Sequence, residues 1–415
     1  MARAKILALA SAIDLDFRYG CTPAWWQLWK GLYEVGADVI VTPYRGRAIA
    51  SPWWLAYGNP CFYEAELFAA ARRGAAWVRR DDLLRRAEQH PTTTRTDRVT
   101  GELIKQWIRP RWRRHVASLV ERESPDAVVV FGIPISHLRG IPAEVREKYS
   151  IPVAYYDGDV PMSLPEFGGM DTGFNIYPGA DPGEYDLLIS NSAGGDARLR
   201  ELGARRVETL FWGADPDFFT PLAREKASDV FFYGYGDKFR REWIDRLIAE
   251  PSRRLRDIRF AVGGGDFRGG LGAAERVGWI PFSRFPAAIS ASSINLNITR
   301  RPHATVDGSS TARLFELAAC GSAIVSNPHE GIERWFEPDS ELLVVRSAEE
   351  AVSAYEELLG DPSRVRAMGE RARERVLEEH TYAHRARRLL AILGLDSGGA
   401  GAGSAAAMRA SDQGA

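Results

Sequence analysis

Residues 308–326 read Gly-Ser-Ser-Thr-Ala-Arg-Leu-Phe-Glu-Leu-Ala-Ala-Cys-Gly-Ser-Ala-Ile-Val-Ser, and they follow a short stretch, Asn-Leu-Asn-Ile-Thr, at residues 295–299. The hydroxyl residues 309–311 are typical helix N-caps, and Gly321 is a typical helix end. The apolar run 323–326 has the length of a buried strand. The segment therefore predicts a strand, a polar loop, a helix and a second strand.

The start of this helix is a predicted anion site. A helix that begins at Ser310 or Thr311 points unpaired backbone N–H groups and the positive end of its dipole beyond the strand ends, where a diphosphate can bind. Glu316 lies one to two turns into the helix, and its carboxylate can accept hydrogen bonds from two vicinal hydroxyls such as those of a ribose. Alternatively, Glu316 is an ordinary exposed carboxylate paired with Arg313 at i,i+3.

Strand-length apolar runs and amphipathic helix-length segments alternate along the rest of the chain. This alternation predicts parallel βαβ units, and its restart after residue 220 predicts an α/β fold with two doubly wound, Rossmann-like domains. Turn-forming residues at 213–221 mark the boundary. The predicted strands are 6–12, 38–42, 127–131, 153–156, 187–191, 207–210, 230–233, 259–262, 294–298, 323–326 and 342–344.

We accordingly expect an N-terminal domain over 1–221, a second domain over 222–378, and a C-terminal helical segment over 379–395. The amphipathic stretch 363–393 is rich in Arg, Glu, Ala and Leu and is predicted to be helical. The tail over 396–415 is mostly Gly, Ala and Ser, cannot bury enough apolar surface to order itself, and is predicted to be disordered.

Composition excludes several classes of protein. The chain has 415 residues, 54 Lys+Arg against 55 Asp+Glu and 45% apolar residues, which suits two or three globular domains. A net charge of −1 supplies no overall field for a polyanion, so nucleic-acid binding is not expected. No apolar run approaches the roughly 18 residues of a membrane-spanning helix. Three widely spaced cysteines without a CxxC pair favour a reducing, cytoplasmic setting.

Two local features interrupt this balance. Residues 72–114 contain 13 Lys/Arg against 5 Asp/Glu, and eight of the twelve tryptophans lie before residue 113. The basic stretch is either a solvated helical face or a peripheral docking surface for an anionic membrane or polymer. The N-terminal domain is therefore distinguished from the rest of the chain by its basic stretch and its tryptophans.

The run 313–326 resembles the C-terminal donor-binding signature of group 1 glycosyltransferases, most closely the spore-maturation-protein (CgeB) type. Further segments resemble the same family, including Tyr-Asp-Leu-Leu-Ile-Ser-Asn-Ser at 185–192, Gly-Ala-Asp-Pro at 213–216 and Glu-His-Thr-Tyr-Ala-His-Arg-Ala at 379–386. The likeness extends over residues 185–393 and is looser before them.

The resemblance implies a GT-B-fold enzyme, in which two Rossmann-like domains face a cleft, that transfers a sugar from a nucleotide-diphosphate sugar to an acceptor hydroxyl on a small molecule, glycan or natural product. It implies acceptor binding in the first domain, donor binding in the second, and a C-terminal helix that packs back toward the first. The nucleotide sugar is a co-substrate, and no cofactor or essential divalent metal is expected. Glu316 is expected to bind the ribose, with further donor contacts from Asn297, Thr299, Ser310, Thr311 and Arg313.

One departure from the family pattern leaves alternatives open. Many related transferases carry a partner glutamate eight positions before the ribose-binding one, where this chain has Gly308 with Asp307 beside it. Either the first carboxylate is dispensable or Asp307 replaces it. A nucleotide-sugar epimerase shares this architecture, and a non-catalytic protein that binds nucleotide sugars or glycans could also have kept the fold.

A second donor element is predicted where the strand 230–233 ends. Gly234 and Gly236 let the backbone approach a phosphate, and a nearby cation can neutralise a departing diphosphate. Arg241 is the first choice for that cation by resemblance, Arg240 the second, and Lys238 a third candidate. The glycine spacing does not fit a dinucleotide fingerprint.

The acceptor side is predicted in the N-terminal domain. Gly20 lies in a loop that faces the cleft in related two-domain transferases, and the helix after it bears Trp25 and Trp29, of which at least one is expected in the core. Trp53 and Trp54 lie in a turn-like stretch and could line a sugar or aglycone site.

Candidate catalytic groups follow two strands of the same domain. Asp157 and Asp159 come after the strand 153–156, where a carboxylate reaches the cleft and could act as a base, clamp an acceptor hydroxyl or simply form a turn. Their Asp-x-Asp spacing also matches a metal-binding motif of the other major transferase fold. The second-domain signature argues against a metal site here. His137 is a further candidate, although a lone histidine is more often structural.

Overall fold

The computed structural model describes residues 3–13, 24–64, 66, 102–167, 176–236, 239–267 and 269–396. Its N-terminal unit is built on a seven-stranded sheet in which all paired strands are parallel, in the order β3-β2-β1-β4-β5-β6-β7. The strands are β1 Lys5–Ala12, β2 Asp38–Arg45, β3 Leu55–Ala56, β4 Ala127–Phe131, β5 Val153–Asp157, β6 Leu187–Ser190 and β7 Val207–Thr209.

The C-terminal unit is built on a six-stranded parallel sheet in the order β10-β9-β8-β11-β12-β13. In both sheets the order reverses beside the first strand of the unit, which is the doubly wound topology. The strands are β8 Ser228–Tyr235, β9 Phe260–Gly265, β10 Glu275–Gly278, β11 Ser292–Asn297, β12 Ala323–Ser326 and β13 Leu343–Val344. The predicted α/β class with two Rossmann-like units is confirmed.

Helices lie between β1 and β2, β3 and β4, β4 and β5, β6 and β7, β8 and β9, β10 and β11, and β11 and β12. The helices are α1 Ala24–Glu34, α2 Arg109–Glu123, α3 Ile141–Tyr149, α4 Asp196–Glu201, α5 Arg241–Ile244, α6 Glu250–Arg254, α7 Phe285–Ser290, α8 Arg301–Ala304, α9 Ala312–Ala319, α10 Ala348–Gly360, α11 Pro362–Arg375 and α12 Tyr382–Leu393. The predicted helical stretch 363–393 is interrupted at Thr381, whose extended backbone and side chain cap α12.

Most of the predicted strands are present in the structure because they are buried on both faces. Along β1, Ile6, Ala8 and Ala10 face one apolar cluster, while Leu7 and Leu9 face another. Such continuous apolar runs are typical of parallel strands covered by helices on both sides. The first of these clusters also contains residues of the C-terminal unit, so the two units share a continuous core.

Aromatic rings form much of this shared core. Trp26 of α1 stacks on Trp53 with ring centroids 5.7 Å apart, and it packs edge-on against Phe218 of the linker and Phe282 of the C-terminal unit. Phe218 and Phe282 are themselves stacked at 4.8 Å. These contacts fix the linker against both units.

The C-terminal helix α12 returns to the N-terminal unit and packs on α1. Its start is held by the linker, since the backbone of Ala214 accepts from Tyr382 N–H at 3.1 Å and donates to the His380 carbonyl at 3.1 Å. In the structure α12 therefore lies against α1 of the N-terminal unit. The predicted tail lies outside the described residues beyond residue 396.

Candidate active site

The loop before α9 is bound directly to the N-terminal unit. Asn191, which follows β6, donates from its side-chain amide to the Ser310 carbonyl at 2.9 Å and accepts at its own carbonyl from Ser310 N–H at 3.0 Å. The Ser192 and Ser309 hydroxyls lie 2.5 Å apart. The carboxyl ends of strands from both sheets therefore meet at this loop.

Thr311 is the N-cap of α9, one of the two predicted helix starts, and Ser310 precedes it. The hydroxyls of the two residues differ in environment. Ser310 Oγ accepts from Trp212 N–H and donates to the Asn191 carbonyl, both at 3.0 Å. Thr311 is the N-cap of α9 in extended conformation, with no side-chain capping bond. Its hydroxyl is buried and has no partner within the described residues.

Glu316 is buried in the second turn of α9. Its side chain is 6% exposed, and Oε2 lies 2.9 Å from Arg313 Nη1. The Arg313 guanidinium lies 4.0 Å from the ring centroid of Phe285, a cation–π arrangement that fixes its position. The expected i,i+3 pair is therefore present, but the carboxylate is not the exposed surface group that the alternative interpretation required.

Asn297 and Thr299 form hydrogen bonds that connect the carboxyl ends of β11 and β12. The Asn297 amide donates to Ser326 Oγ at 2.9 Å, and Thr299 N–H donates to the Asn327 side chain at 2.7 Å. Both predicted donor residues are fully buried. In this conformation they hold the backbone that carries the loop.

Gly308 adopts φ +58°, a conformation that disfavours other residues. A Cβ placed there would lie 3.2 Å from Ala193 Cβ and 3.3 Å from Arg334 Cδ. Asp307 forms an exposed ion pair with Arg334 at 2.6 Å. The backbone at 308 is thus shaped for glycine, and the neighbouring carboxylate is already paired.

The second predicted donor element lies at the end of β8. The backbones of Gly234 and Gly264 lie in close contact. A Cβ added to Gly264 would lie 2.0 Å from the Gly234 carbonyl oxygen. Arg240 Nε donates to the Ile298 carbonyl at 2.7 Å. Exposed Arg241 lines a cavity of about 450 Å³ together with Gly236. Lys238 lies outside the described residues.

Asp157 is buried at the end of β5. It accepts hydrogen bonds from Ser163 Oγ at 2.5 Å, Tyr177 OH at 2.7 Å and Asp159 N–H at 3.1 Å. Burial raises the pKa of Asp157 to about 6, although these donors oppose the shift. The carboxyl therefore titrates close to neutral pH.

Asp159 contacts the C-terminal unit. It accepts a short hydrogen bond from Arg300, and its Oδ1 lies 3.3 Å from His303 Nε2. Burial alone would raise the pKa of Asp159, but the charge of Arg300 and the contact with His303 more than offset it and lower the pKa. Within the described residues, no group of three or more His, Cys, Asp or Glu side chains is placed to hold a metal ion.

His137 lies at the carboxyl ends of β2 and β4, with its ring centroid 5.5 Å from that of Tyr44. Burial, together with the charge of Arg109, lowers its pKa to about 4. The ring is therefore neutral at physiological pH. Its Nδ1 is buried without a partner in the described part of the chain.

The predicted acceptor tryptophans belong mainly to the core. Trp29 is fully buried, as expected for at least one residue of α1, and Trp25 is 6% exposed. Trp54 is also buried, and its indole N–H donates to the Ile49 carbonyl at 3.0 Å. Trp53 is partly exposed. Gly20 lies outside the described residues, as does most of the basic stretch 72–114.

Several residues at this junction were not predicted from sequence. Arg300 and His303 lie three and six residues after the end of β11. The signal that could have found them is the pair of arginines, Arg300 and Arg301, that comes immediately after the 295–299 pattern. Trp279 is 45% exposed after β10 and lies 6.4 Å from exposed Tyr235, ring to ring. The strand β10 that positions Trp279 has no buried face and no apolar pattern.

Comparisons with known proteins agree with this architecture. A family model described as glycosyl transferase-like matches residues 240–391, which include Arg241 and Glu316. No curated protein matches the sequence. Among the described helices, none combines the length and the apolar character needed to cross a bilayer.

Solved structures share the fold over nearly the whole chain. Sucrose-phosphate synthase from Thermosynechococcus elongatus aligns with a TM-score of 0.60 at 15% identity, covering 94% of this chain and 98% of its own. HepE of Anabaena in complex with UDP-glucose gives 0.57 at 13%, covering 94% and 99%. A glycosyltransferase from Rickettsia africae gives 0.56 at 9%, covering 95% and 98%. The chain therefore has the GT-B fold, and residues 240–391 within it form a glycosyl transferase-like segment.

Proposed function

We propose that this protein is a glycosyltransferase of the group 1, CgeB-like type that moves a sugar from a nucleotide-diphosphate sugar to an acceptor hydroxyl. The observation that carries the proposal is Glu316, a buried carboxylate in the second turn of a helix whose preceding loop is hydrogen-bonded to the N-terminal unit. The glycosyl transferase-like segment and the fold shared with HepE bound to UDP-glucose support the same activity.

The donor lies along α9 in this proposal. The free backbone N–H groups at the start of α9 and the unpartnered Thr311 hydroxyl face the diphosphate. Glu316 accepts hydrogen bonds from the ribose hydroxyls, while the Arg313 guanidinium, 2.9 Å from Oε2, orients its carboxylate. The exposed rings of Tyr235 and Trp279 offer a surface on which the nucleobase stacks.

The reaction breaks the bond between the anomeric carbon and the diphosphate oxygen, which keeps the electron pair. The acceptor oxygen bonds to that carbon, and its proton passes to a base. Arg241, with Arg240 beside it, and the α9 dipole stabilise the leaving charge. Among Asp157, Asp159 and His137, the pKa near 6 favours Asp157 as the base, because Asp159 is paired and His137 is a weak base.

We propose that a divalent metal is not essential. Asp157 and Asp159 of the Asp-x-Asp sequence already have partners, Ser163 and Tyr177 for the first and Arg300 for the second. The positive groups that oppose the diphosphate are instead arginines and a helix N-terminus. Activity is therefore expected to persist in EDTA.

A non-catalytic nucleotide-sugar-binding protein is the second candidate. It is favoured by Gly308, because its positive φ and close neighbours exclude the partner carboxylate of related transferases, and by Asp307, which is paired with Arg334. Such a protein would bind the donor without releasing a nucleoside diphosphate.

The test combines a thermal-shift screen with a turnover assay in EDTA. Nucleoside diphosphates and their sugars should raise the melting temperature, because a ligand that binds only the native state stabilises it by mass action. Incubation with the donor that binds best should then release nucleoside diphosphate, slowly without an acceptor. Binding without any release would favour the second candidate. No shift with any donor or diphosphate would contradict both.

A further inference from the structure

A single carboxylate of the N-terminal unit contacts two basic side chains of the C-terminal unit. Asp159 follows β5, whereas Arg300 and His303 follow β11. The side chains of Asp159 and Arg300 are each 20% exposed, and that of His303 is 2% exposed. The contact therefore lies mostly out of solvent, where a charge needs a partner of opposite sign.

The C-terminal unit contributes only positive or neutral groups to this contact. Arg240 Nε binds the Ile298 carbonyl, two residues before Arg300, and its charge acts on His303. Asp159 is the carboxylate that pairs with Arg300 among the described residues. Without it, the end of β11 would present an anion-binding surface.

This surface lies next to the proposed diphosphate site. Val160, which follows Asp159, donates its backbone N–H to the Asn191 side chain at 2.9 Å. The same side chain donates to the Ser310 carbonyl at 2.9 Å, one residue before the N-cap of α9. Two hydrogen bonds thus link the residue beside Asp159 to the start of the helix that faces the donor.

We propose that Arg300 is a further donor-binding residue that contacts the diphosphate, and that Asp159 is the counter-ion that holds Arg300 until the diphosphate replaces it. This inference rests on the proposed function. The diphosphate offers Arg300 a stronger, bidentate anion than one carboxylate oxygen. His303 remains within reach of Asp159 after the exchange, so the carboxylate keeps a buried partner.

Competition between Asp159 and the diphosphate has a measurable consequence. While Asp159 occupies Arg300, only a fraction of the protein presents a free guanidinium, and the apparent affinity falls by that fraction. Removing the carboxylate should strengthen diphosphate binding, and removing the guanidinium should weaken it. A pair that merely stabilised the fold would not produce these opposite changes.

The experiment measures binding of UDP, ADP, GDP and dTDP by calorimetry. For the diphosphate that binds wild type best, Arg300→Gln should weaken affinity about 10- to 100-fold. Arg300→Lys should weaken it less, because it keeps the charge. Asp159→Asn should strengthen affinity about 2- to 10-fold, and this gain should vanish when it is combined with Arg300→Gln.

The matched control is Asp229→Asn. It removes the carboxylate from another carboxylate–arginine pair, Asp229 with Arg259 at 3.0 Å, at the opposite, amino-terminal edge of the second sheet. Its diphosphate affinity should equal that of wild type. Unchanged affinity in Arg300→Gln, or weaker affinity in Asp159→Asn, would overturn the inference alone. If wild type bound none of the four diphosphates, that result would contradict the proposed function and, with it, this inference.

Discussion

At the scale of single residues, Glu316 is the central side chain of the candidate site. Its pair with Arg313 could be predicted from i,i+3 spacing, but its burial could not. The helix α9 that carries Glu316 packs against α11 and residues 376–380, which lie about 45 to 65 residues further along the chain. A buried carboxylate costs free energy unless it has partners, and Arg313 pairs with Oε2 of Glu316.

Asp157 gives a prediction at the same scale. Its pKa is raised from the ordinary value near 4 to about 6 by burial. Between these values the native state holds a proton that the unfolded chain has lost. The contribution of Asp157 to the free energy of unfolding is therefore present below about pH 4 and is lost as the pH rises through 6, by about 2–3 kcal/mol.

Urea denaturation of wild type and Asp157→Asn at pH 4.5 and 7.0 measures this contribution. Stability should fall more steeply with rising pH in wild type than in the variant, because the asparagine does not titrate. Parallel pH dependence in the two proteins would show that Asp157 titrates normally in the native state.

At the scale of elements, double burial made most strands predictable. Those with apolar residues on both faces, such as β4 and β12, have the predicted bounds. β3 has only two residues, and β10 has no buried face, so neither has a pattern to detect. The predicted loop and helix around 308–320 are present, but the first-unit residues that bind this loop depend on tertiary packing.

The contact between α1 and α12 yields an element-scale prediction. A Cβ added to Gly31 would lie 2.5 Å from the Tyr382 carbonyl oxygen and 2.7 Å from its carbon. Both are backbone atoms, so the helices must separate. Gly31→Ala should lower the free energy of unfolding by about 1–3 kcal/mol, measured by chemical denaturation.

Gly360→Ala is the matched control for this helix contact. Gly360 is also helical, and a Cβ there would meet no atom within 4 Å. The variant should be neutral or up to about 1 kcal/mol more stable, because alanine favours the helix. Equal losses of stability in both variants would mean that the α1–α12 contact is not the cause.

At the scale of the whole molecule, the linker is bound to both units. Lys30 of α1 lies 2.7 Å from carboxylate oxygens of both Asp215 and Asp217, and its ammonium is nearly buried. These contacts join residues about 185 positions apart in sequence. Local patterns predicted the two units and the turn-rich segment between them, but not how the chain closes upon itself, because closure depends on side-chain packing across the units.

The central claim is that a nucleoside diphosphate binds between the two units with its ribose on Glu316. Calorimetry of Glu316→Ala and Glu341→Ala tests it most directly. Glu341 is the matched control, since it is 6% exposed and pairs with Arg375 at 3.1 Å. Glu316→Ala should weaken binding of the preferred diphosphate about 10- to 100-fold while Glu341→Ala binds like wild type. Wild-type affinity in Glu316→Ala would contradict the claim.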